Sequence, residues 1–418
     1  KAAQYIGAEA GFANLITCYM GGTSFDVSLI NKGESTLAAQ TEIDFGMVVR
    51  TPMVEISTIG AGGGSIAHID QGGLLAVGPE SAGSDPGPVS YGLGNDRPTV
   101  TDANLLLGRI NPDRPIGGKL EKLDIDAAWD AVKQKIAEPL GLTVPDAADA
   151  IVRVANAKMA GAIRLVSVER GHDPKEFAIM PFGGGGSLHA CALMKEIGLA
   201  ASIIPRYPGV TSALGCVVAD MRLDIVQTVN TMLDELDIAV MTSKMEDQAI
   251  KFEKDLSRTE FGLTGLSRVF ELDMLYVGQT HSINVPLPDD PKNFSLETIR
   301  EAFNKIYLDT YGRLLPGIGY RVINMRVAVI GHRPKLDLSS MAPVSSKNID
   351  QCVTGDRMVW CEGTKVSAKI YERLDLPVNA KVFGPAILEQ PDTTIFIEPK
   401  MYGKVDKYGN LIIRWNKE

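Results

Sequence analysis

The stretch YMGGTSFDVSLI, residues 19–30, determines how the rest of the sequence is interpreted. An apolar run over residues 15–18 leads into Gly21-Gly22-Thr23, and an alternating run over residues 25–30 leads out. This order predicts a strand, a glycine turn and a second strand. Two interpretations of the turn remain open. It is either an ordinary hairpin, or a loop whose backbone N–H groups and Thr23 hydroxyl hold a phosphate.

A longer glycine run, Gly183–Gly186, lies between a strand-like segment at residues 177–182 and a helical pattern at residues 188–197. Four consecutive glycines lose much conformational entropy on folding, so we favour a ligand-binding loop over a purely structural turn. The helix N-terminus that follows would favour an anion. His189 lies one turn into this helix, where contact with a ligand and simple space filling fit the sequence equally well.

Carboxylates near the glycine loops are the candidates for acid–base or metal chemistry. Asp26 lies four residues beyond Gly22, where it could hold a metal-bound water. Glu80 and Asp85 lie in GPESAGSDPGPVSY, residues 78–91, whose prolines and glycines predict a long ordered loop or linker. For each of these carboxylates, a capping or solvated role is the alternative.

Three further features are compatible with more than one role. The loop Gly60–Ser65 could lie beside a substrate or form a tight crossing between strands. His68 and Asp70 are two residues apart on a predicted strand, where a polar rim pair is a more common arrangement than a metal site. Thr101 or Asp102 is expected to supply the N-cap oxygen of a helix near residues 99–110.

Neither a GxSxG nucleophile motif nor a GxxxxGK[ST] phosphate loop occurs in the sequence.

The composition is that of a globular protein with more than one domain. The chain has 418 residues, of which 45% are hydrophobic and 22% charged, and its net charge of −9 argues against nucleic-acid or anionic-membrane binding. Five cysteines without CxxC spacing favour a reducing cytoplasm over a disulfide or zinc framework. The sequence has no apolar run of 18 residues, so we expect no membrane span. It begins at Lys1 without Met, as expected of a fragment, a processed piece or one half of a larger architecture.

The pattern changes near residue 232. Residues 1–232 alternate glycine loops and short strands with helices predicted at residues 124–138 and 146–169. After a polar helix at residues 234–257, strand-like runs dominate, with one more helix at residues 297–311. We therefore predict two domains, residues 1–232 and a β-rich C-terminal domain over residues 233–418.

Together, these motifs resemble the hydantoinase A/5-oxoprolinase family. The resemblance covers essentially the whole chain and is specific because many separate motifs occur in the same order. It rests on MGGTSFDVSLI, IGAGGGSIAHID, VGPESAGSDPGPVSYG, PTVTDANLLLGRI, SVERGHDPKEFAIMPFGGGGSLHACAL, PGVTSALGCVVADM, YVGQTHSINVPLP, YGRLLPGIGYRVINMRV, GPAILEQPDTTIFIEP and VDKYGNLII.

The resemblance implies an α/β fold: one half of an actin/sugar-kinase/Hsp70-type ATPase, plus the β-rich module. It implies ATP and Mg²⁺ as cofactors and a cytoplasmic, oligomeric enzyme that acts with a hydantoinase B-type subunit. The implied chemistry is the opening of a cyclic amide such as a hydantoin or 5-oxoproline. In relatives, it is the carboxylation of a ketone such as acetone or acetophenone. Phosphorylation of a carbonyl or enol oxygen is the activating step in both cases.

Site residues follow from the same resemblance. Gly21, Gly22 and Thr23 match the second phosphate-binding turn, with Asp26 beside it as catalytic residue and Mg²⁺ ligand. Gly183, Gly184, Gly185 and Gly186 match the adenosine loop, with His189 close to the nucleotide. The segments Gly62–Ser65 and Glu80–Asp85 would lie near the cleft between the two halves, where the substrate should bind. Glu80 and Asp85 are therefore catalytic candidates.

Two departures from the family pattern keep alternatives open. Tyr19 stands where the family usually has an acidic residue, and the family's N-terminal half, with its first phosphate turn, is absent from this sequence. We therefore expect a second chain to complete the nucleotide cleft. The ESAGSDPGP segment inclines us to the cyclic-amide hydrolase. The alternatives are a subunit of an acetone- or acetophenone-type carboxylase, or a non-catalytic scaffold derived from the ATPase.

Overall fold

The structure, a computed structural model, describes residues 1–38, 41–43, 47–49, 53–118, 120–260 and 262–416. The chain divides into two compact units. Unit 1 comprises Lys1–Thr36, Val54–Val217 and Asp337–Glu418, and unit 2 comprises Leu37–Met53 and Val218–Leu336. The domain division after residue 232 stays a prediction.

The helices and strands follow one another from a short N-terminal helix to a C-terminal hairpin. Up to residue 182 they are α1 (Ala2–Ala10), β1 (Leu15–Met20), β2 (Phe25–Asn31), β3 (Glu34–Ser35), β4 (Leu37–Ala38), β5 (Thr41–Ile43), β6 (Met47–Val49), β7 (Met53–Val54), β8 (Ser57–Ile59), β9 (Ser65–Ile69), β10 (Leu75–Ser81), α2 (Val100–Leu106), α3 (Ile125–Val132), α4 (Glu138–Leu140), α5 (Val144–Val166) and β11 (Ala178–Phe182). They continue with α6 (Ala190–Ile197), β12 (Ala201–Ile204), α7 (Thr211–Val218), β13 (Met221–Met232), α8 (Ile238–Ser257), β14 (Gly265–Tyr276), β15 (Ile283–Pro286), α9 (Leu296–Tyr311), β16 (Tyr320–His332), β17 (Val353–Cys361), β18 (Thr364–Glu372), β19 (Lys381–Phe383), β20 (Ala386–Gln390), β21 (Thr393–Ile397), β22 (Met401–Val405) and β23 (Leu411–Trp415).

A mixed sheet forms the centre of unit 1, with strand order β19-β22-β23-β12-β11-β1-β2-β3 and β8 paired to β2. The neighbours β1, β11 and β12 run parallel, whereas the hairpin β1–β2 and the strands β22 and β23 are antiparallel. Strands from the end of the chain therefore extend the sheet that begins at β1. This confirms a mixed α/β fold.

The long helix α5 covers the core side of this sheet. Thr143 caps its N-terminus and Pro145 occupies its first turn, where a missing N–H costs nothing. Its apolar positions, among them Ile151 and Ile163, are fully buried and belong to the same core as the strands. Burial of a side chain of this size stabilises the fold by about 1.5–3 kcal/mol. The apolar residues that give the sequence its helical periodicity are therefore also the ones that hold the helix on the sheet.

Unit 1 also contains a second sheet, β17-β18-β20-β21, and a two-stranded ribbon, β9–β10. In unit 2, the antiparallel sheet β13-β16-β14-β15 packs with α8 and α9 around a core that contains Phe270, Phe303 and Tyr276. Among the described residues, no helix has both the length and the apolar character needed to cross a membrane.

Three local predictions need correction. Thr99, rather than Thr101 or Asp102, is the N-cap of α2, and Asp102 is the third helical residue of a capping box with Thr99. The segment at residues 78–91 is not entirely irregular, because β10 continues through it to Ser81. The predicted helix at residues 124–138 is also interrupted by a π turn over residues 133–137.

Candidate active site

Two glycine turns meet at the carboxyl end of β1. The turn Gly21–Thr23 joins β1 to β2, and Gly183–Gly186 follows β11, the parallel neighbour of β1. The N–H of Gly185 donates to the Met20 carbonyl at 3.3 Å, which ties one turn to the base of the other. Ligands in open α/β sheets bind at such strand ends, so the two predicted binding turns lie where a shared ligand would be expected.

The loop Gly60–Ser65 packs directly on the first turn. Gly63 N–H donates to the Gly21 carbonyl at 3.0 Å, and Gly64 N–H donates to the Gly22 carbonyl at 2.6 Å. A Cβ on Gly62 would lie 2.5 Å from the Gly22 oxygen and 2.6 Å from the carbonyl carbon of Gly22. The loop is thus a tight backbone crossing that supports the turn.

Two hydroxyl residues at this crossing were not identified from the sequence. The Ser81 hydroxyl lies 3.5 Å from that of Thr23, and the Thr101 hydroxyl donates to the Gly63 carbonyl at 2.9 Å. Both residues lie within motifs of the sequence, but Ser81 was assigned no role and Thr101 was assigned to a helix cap. Their positions depend on the packing of β10 and α2 against the glycine loops. No local sequence pattern predicts this packing.

A cavity of about 190 Å³ opens where the glycine turns meet. One side is backbone from the glycine loops, and the other is an apolar wall that comes largely from Ile110, which ends a sequence motif, and from a following segment that belongs to none. Its volume is below the roughly 300–1,000 Å³ typical of ligand pockets, so it suits one flat part of a larger ligand. The lining residues are Met20, Gly21, Gly22, Gly63, Tyr91, Thr101, Ile110, Pro115, Ile116, Leu120, Leu123, Gly184, Gly185 and Leu188.

The four glycines of the second turn are not equivalent. Gly183 has a φ of +82°, and a Cβ there would lie 2.4 Å from the Met20 carbonyl oxygen. A Cβ on Gly185 would meet the Met20 sulfur at 3.2 Å. At Gly184, in contrast, the nearest atom would be Ile116 Cγ2 at 3.7 Å, an ordinary contact. The fold therefore requires glycine at position 183 but not at the cavity-lining position 184.

Asp26 belongs to a row of side chains across the sheet. Its carboxylate accepts hydrogen bonds from the Thr58 hydroxyl at 2.6 Å and the Ser24 hydroxyl at 3.3 Å. In the strand register Asp26 lies opposite Tyr19, and Tyr19 lies opposite Phe182. Because side chains alternate along a strand, this row projects from the sheet face opposite to Met20, which lines the cavity.

Glu80 and Asp85 lie at the surface. Glu80 forms an ion pair with Arg97 at 2.7 Å, and its side chain is 63% exposed. Asp85 is also exposed. Among the described residues, no group of three or more His, Cys, Asp or Glu side chains is arranged to hold a metal. The carboxylates predicted to be catalytic are therefore not gathered into one cluster, and their catalytic roles stay predictions.

The pair His68 and Asp70 occupies the end of β9 and the turn that follows. The Asp70 carboxylate accepts from the N–H groups of Gly72 and Leu74, at 2.8 and 2.9 Å, and His68 is exposed. This is a turn-stabilising arrangement. It agrees with the polar-rim interpretation of these two residues.

His189 lies beneath the second turn rather than among the cavity-lining residues. Its ring is 2% exposed, and Nδ1 is 2.6 Å from Asn156 Oδ1. Burial, with a smaller effect from Arg109, lowers the pKa of His189 to about 3, so the imidazole is neutral at physiological pH. Its predicted contact with a nucleotide stays a prediction.

Asp102 has a structural role next to the cavity. The carboxylate is fully buried and accepts from the N–H groups of Val89, Ser90 and Thr99 at 2.8–3.1 Å. These bonds hold the segment before Tyr91, which lines the cavity, against the start of α2. The carboxylate therefore positions one wall of the site.

Comparison with known proteins identifies related chains over nearly the full length. A family model described as hydantoinase/oxoprolinase matches residues 1–225, and a hydantoinase/oxoprolinase C-terminal domain model matches residues 225–414. The caprolactamase subunit alpha of Pseudomonas jessenii is 33% identical over 93% of this chain and 56% of its own length. The acetophenone carboxylase gamma subunit of Aromatoleum aromaticum is 33% identical over 98% of this chain and 57% of its own.

The fold is also found in a solved structure. A nucleotide-free structure of acetone carboxylase, described in connection with ATP-dependent acetone carboxylation, superposes with a TM-score of 0.82 at 25% identity. The match covers 99% of this chain and 60% of that one. This chain thus spans a little over half the length of these three relatives.

Proposed function

This chain belongs to the hydantoinase/oxoprolinase family, and from that premise we propose that it carries a nucleotide-binding part of an ATP-dependent enzyme that opens cyclic amides. The observation that supports this most directly is the cavity between Gly21–Gly22 and Gly184–Gly185. Caprolactamase and acetone carboxylase, which share its fold or sequence, are both described as ATP-dependent. Because the chain spans just over half of these relatives, the complete activity needs further polypeptide in this proposal.

The cavity has the chemistry that a nucleotide requires. Its apolar wall, which includes Ile110, Ile116 and Leu188, offers contacts to a purine base. The turn at Gly21 and Gly22 offers backbone that can approach phosphate oxygens without a side chain in the way. We assign the base to the apolar side and the phosphates to the turn, with the Thr23 hydroxyl as a further donor.

Asp26 projects from the sheet face opposite to the cavity-lining Met20, but it follows the Gly21–Thr23 turn by three residues, so we propose it as the magnesium ligand beside phosphates held on that turn. Mg²⁺ is usually bound by one or two carboxylates together with phosphates and waters, so a three-ligand protein cluster is not needed. Hydrogen bonds from Thr58 and Ser24 fix the orientation of the Asp26 carboxylate. We propose that Asp26 receives the metal or a water bound to it.

ATP would supply the phosphoryl group that turns the carbonyl oxygen of a resonance-stabilised amide into a leaving group. The contribution of this chain is to hold the phosphates on the Gly21–Thr23 turn and to exclude water with the apolar wall. The ion pair with Arg97 holds Glu80 at the end of β10, and Asp85 lies in the following loop. We propose that these two carboxylates lie on the substrate side of the site.

A ketone carboxylase subunit is the second candidate. It is favoured by the relatives described as acetophenone carboxylase gamma subunit and acetone carboxylase. The two candidates share the nucleotide site and differ in the acceptor of the phosphoryl group. In both, the chain works in a cytoplasmic oligomer with other subunits, among them a hydantoinase B-type chain.

Substitution of Gly184 tests the nucleotide site without disturbing the fold. Ala at this position makes only ordinary contacts, so the melting temperature should stay within about 2 °C of the parent. The added methyl group enters the cavity, and a misfit of about 1–2 kcal/mol would weaken MgATP binding roughly tenfold. Gly161→Ala in α5 is the matched control, since its Cβ meets nothing within 4 Å.

The assay is MgATP binding and ATP turnover by the chain assembled with its complementary subunits. Hydantoins, 5-oxoproline, a lactam, and acetone or acetophenone with bicarbonate form the substrate panel. Stimulation by a cyclic amide supports the hydrolase, and stimulation by a ketone with bicarbonate selects the carboxylase instead. ATP binding that Gly184→Ala leaves unchanged would contradict the proposed site. ATP binding without turnover on any substrate would favour the scaffold.

A further inference from the structure

The outer strands of the central sheet carry an ordered pattern of basic and aromatic side chains. In the strand register Arg414 of β23 lies opposite Tyr402 of β22, and Tyr402 lies opposite Phe383 of β19. The next row on the same face places Lys404 opposite Lys381. Paired residues on neighbouring strands project to the same side, so cations and aromatic rings alternate over one surface.

This surface is concave. An open groove of about 710 Å³ is lined by residues that include Phe12, Phe383, Tyr402 and Trp415. A second depression of about 310 Å³ continues from it and shares Tyr402. We call the two together the basic aromatic groove. Phe383 is 54% exposed and Trp415 37% exposed, which is unusual for large aromatic side chains in a monomeric surface.

The cations of the groove are not neutralised by the part of the chain that the structure describes. There, Lys381, Lys404 and Arg414 form no ion pair within 4.0 Å. Instead, the Lys381 ammonium lies 5.6 Å from the Tyr402 ring centre, and the Arg414 guanidinium lies 6.0 Å from that of Phe12. Such cation–π contacts leave the charges available to an incoming carboxylate.

Among the described residues, Asp406 is the one carboxylate that lines the groove, and it is already engaged. Asp406 accepts from the N–H groups of Tyr408 and Asn410, both at 2.8 Å, and from the Asn410 side-chain amide at 2.8 Å. It therefore stabilises the turn between β22 and β23. A local positive surface remains on a chain whose net charge is −9.

We propose that the basic aromatic groove docks an acidic polypeptide segment that also carries aromatic or aliphatic side chains, presented by a partner subunit. Carboxylates of the segment would pair with Lys381, Lys404 and Arg414, and its apolar side chains would pack on the exposed rings. Aromatic residues and arginine are the side chains that dominate protein–protein interface energies. A nucleic acid is disfavoured because the negative charge of the whole chain repels a polyanion at long range.

The proposal does not depend on the ATP site, since the groove shares no lining residue with the nucleotide cavity. The probe is a fluorescein-labelled peptide of about 20 residues that alternates Glu with Tyr and Leu, titrated with the full chain and followed by fluorescence anisotropy. Saturable binding that weakens at least fivefold between 50 and 300 mM NaCl is expected.

Charge reversal provides the decisive comparison. The double variant Lys381→Glu, Arg414→Glu should bind the peptide at least tenfold more weakly. The matched control, Lys365→Glu with Lys369→Glu, changes the net charge equally at two exposed positions of β18 and should bind within twofold of the parent. Phe383→Ser keeps every charge and should weaken binding about fivefold.

Three outcomes would overturn the proposal. The first is the absence of saturable binding up to 1 mM chain, and the second is an equal loss in the control variant. The third is tighter binding of a fluorescein-labelled oligo-dT of the same length than of the peptide. Thermal melting of each variant separates a lost docking surface from a lost fold, and Phe383→Ser serves as the test if the double variant does not fold.

Discussion

Replacement of Gly62 by alanine should separate the Gly21–Thr23 turn from the Gly60–Ser65 loop that packs on it. The added Cβ would lie 2.5 Å from the Gly22 carbonyl oxygen and 2.6 Å from the carbonyl carbons of Gly22 and Thr23. These are main-chain atoms of a tight turn, so no side-chain rotation relieves the overlap. An ordinary contact at about 3.5 Å requires the loops to move apart by about 1 Å.

The cost follows from the two hydrogen bonds that join the loops. Gly63 N–H to the Gly21 carbonyl measures 3.0 Å and Gly64 N–H to the Gly22 carbonyl measures 2.6 Å, so a shift of about 1 Å takes both beyond bonding distance. Each lost bond costs about 1 kcal/mol, and the residual overpacking adds about 1–2 kcal/mol. We expect a loss of about 3–4 kcal/mol in the free energy of unfolding, or a melting temperature lower by about 3–7 °C.

Thermal melting and urea denaturation of Gly62→Ala measure this loss directly, and MgATP binding reports whether the turn keeps its shape. Gly161→Ala in α5 is the control, because helix propensity alone should stabilise it by about 0.5–1 kcal/mol. If Gly62→Ala melts with the parent protein, the two loops do not cross as closely as described, and the account of the turn as a braced structure is wrong.

Three further predictions concern groups away from the turn. The pKa of His189 is about 3 in the folded chain and about 6.5 in the unfolded chain. Between these two pH values the imidazole is protonated when the chain is unfolded and neutral when it is folded. Stability should then fall by about 1–2 kcal/mol between pH 6.5 and 5, and His189→Gln should remove this part of the slope in urea titrations at each pH. Burial raises the pKa of four of the five thiols, so Ellman's reagent at pH 8 should label one native cysteine, the exposed Cys216, and all five after denaturation. Asp273→Ala, which removes the buried carboxylate 2.8 Å from Arg326, should cost about 3–5 kcal/mol by urea denaturation, whereas a surface Asp→Ala should cost less than about 0.5 kcal/mol.

Sequence patterns predicted the helices and strands in which the spacing of apolar residues matches the buried face. The hairpin over residues 19–30 and the helix α5 were predicted because one alternates and the other has a period near 3.6, each matching the face it buries. The helix α2 was predicted with the wrong cap, since Thr99 and Asp102 form a capping box that begins the helix earlier. The pairing of β23 with β12, about 200 residues apart in the chain, leaves no local trace.

The sequence predicts the two glycine turns that line the cavity, but not the separate structural roles of their glycines. The sequence cannot distinguish Gly183 from Gly184, because the difference is the position of the Met20 carbonyl, which a neighbouring strand supplies. Nor does it indicate that His189 is enclosed, since its burial depends on Asn156 and Arg109 from other elements. Roles that depend on which backbone atoms approach a residue require the three-dimensional structure.

The position of Tyr19 bears on how a metal would be held. Tyr19 lies directly opposite Asp26, so an acidic residue there would put two acidic side chains on facing positions, with Cβ atoms about 5 Å apart, an arrangement that favours repulsion unless a cation lies between the carboxylates. Tyrosine removes this repulsion and leaves Asp26 as one carboxylate held by two hydroxyls. Because Mg²⁺ can be held by one carboxylate when phosphates complete its coordination, Tyr19 is compatible with the proposed role of Asp26 as a metal ligand. In that proposal metal binding depends on the nucleotide, so the metal should bind weakly to the chain alone and more tightly together with ATP in the assembled enzyme.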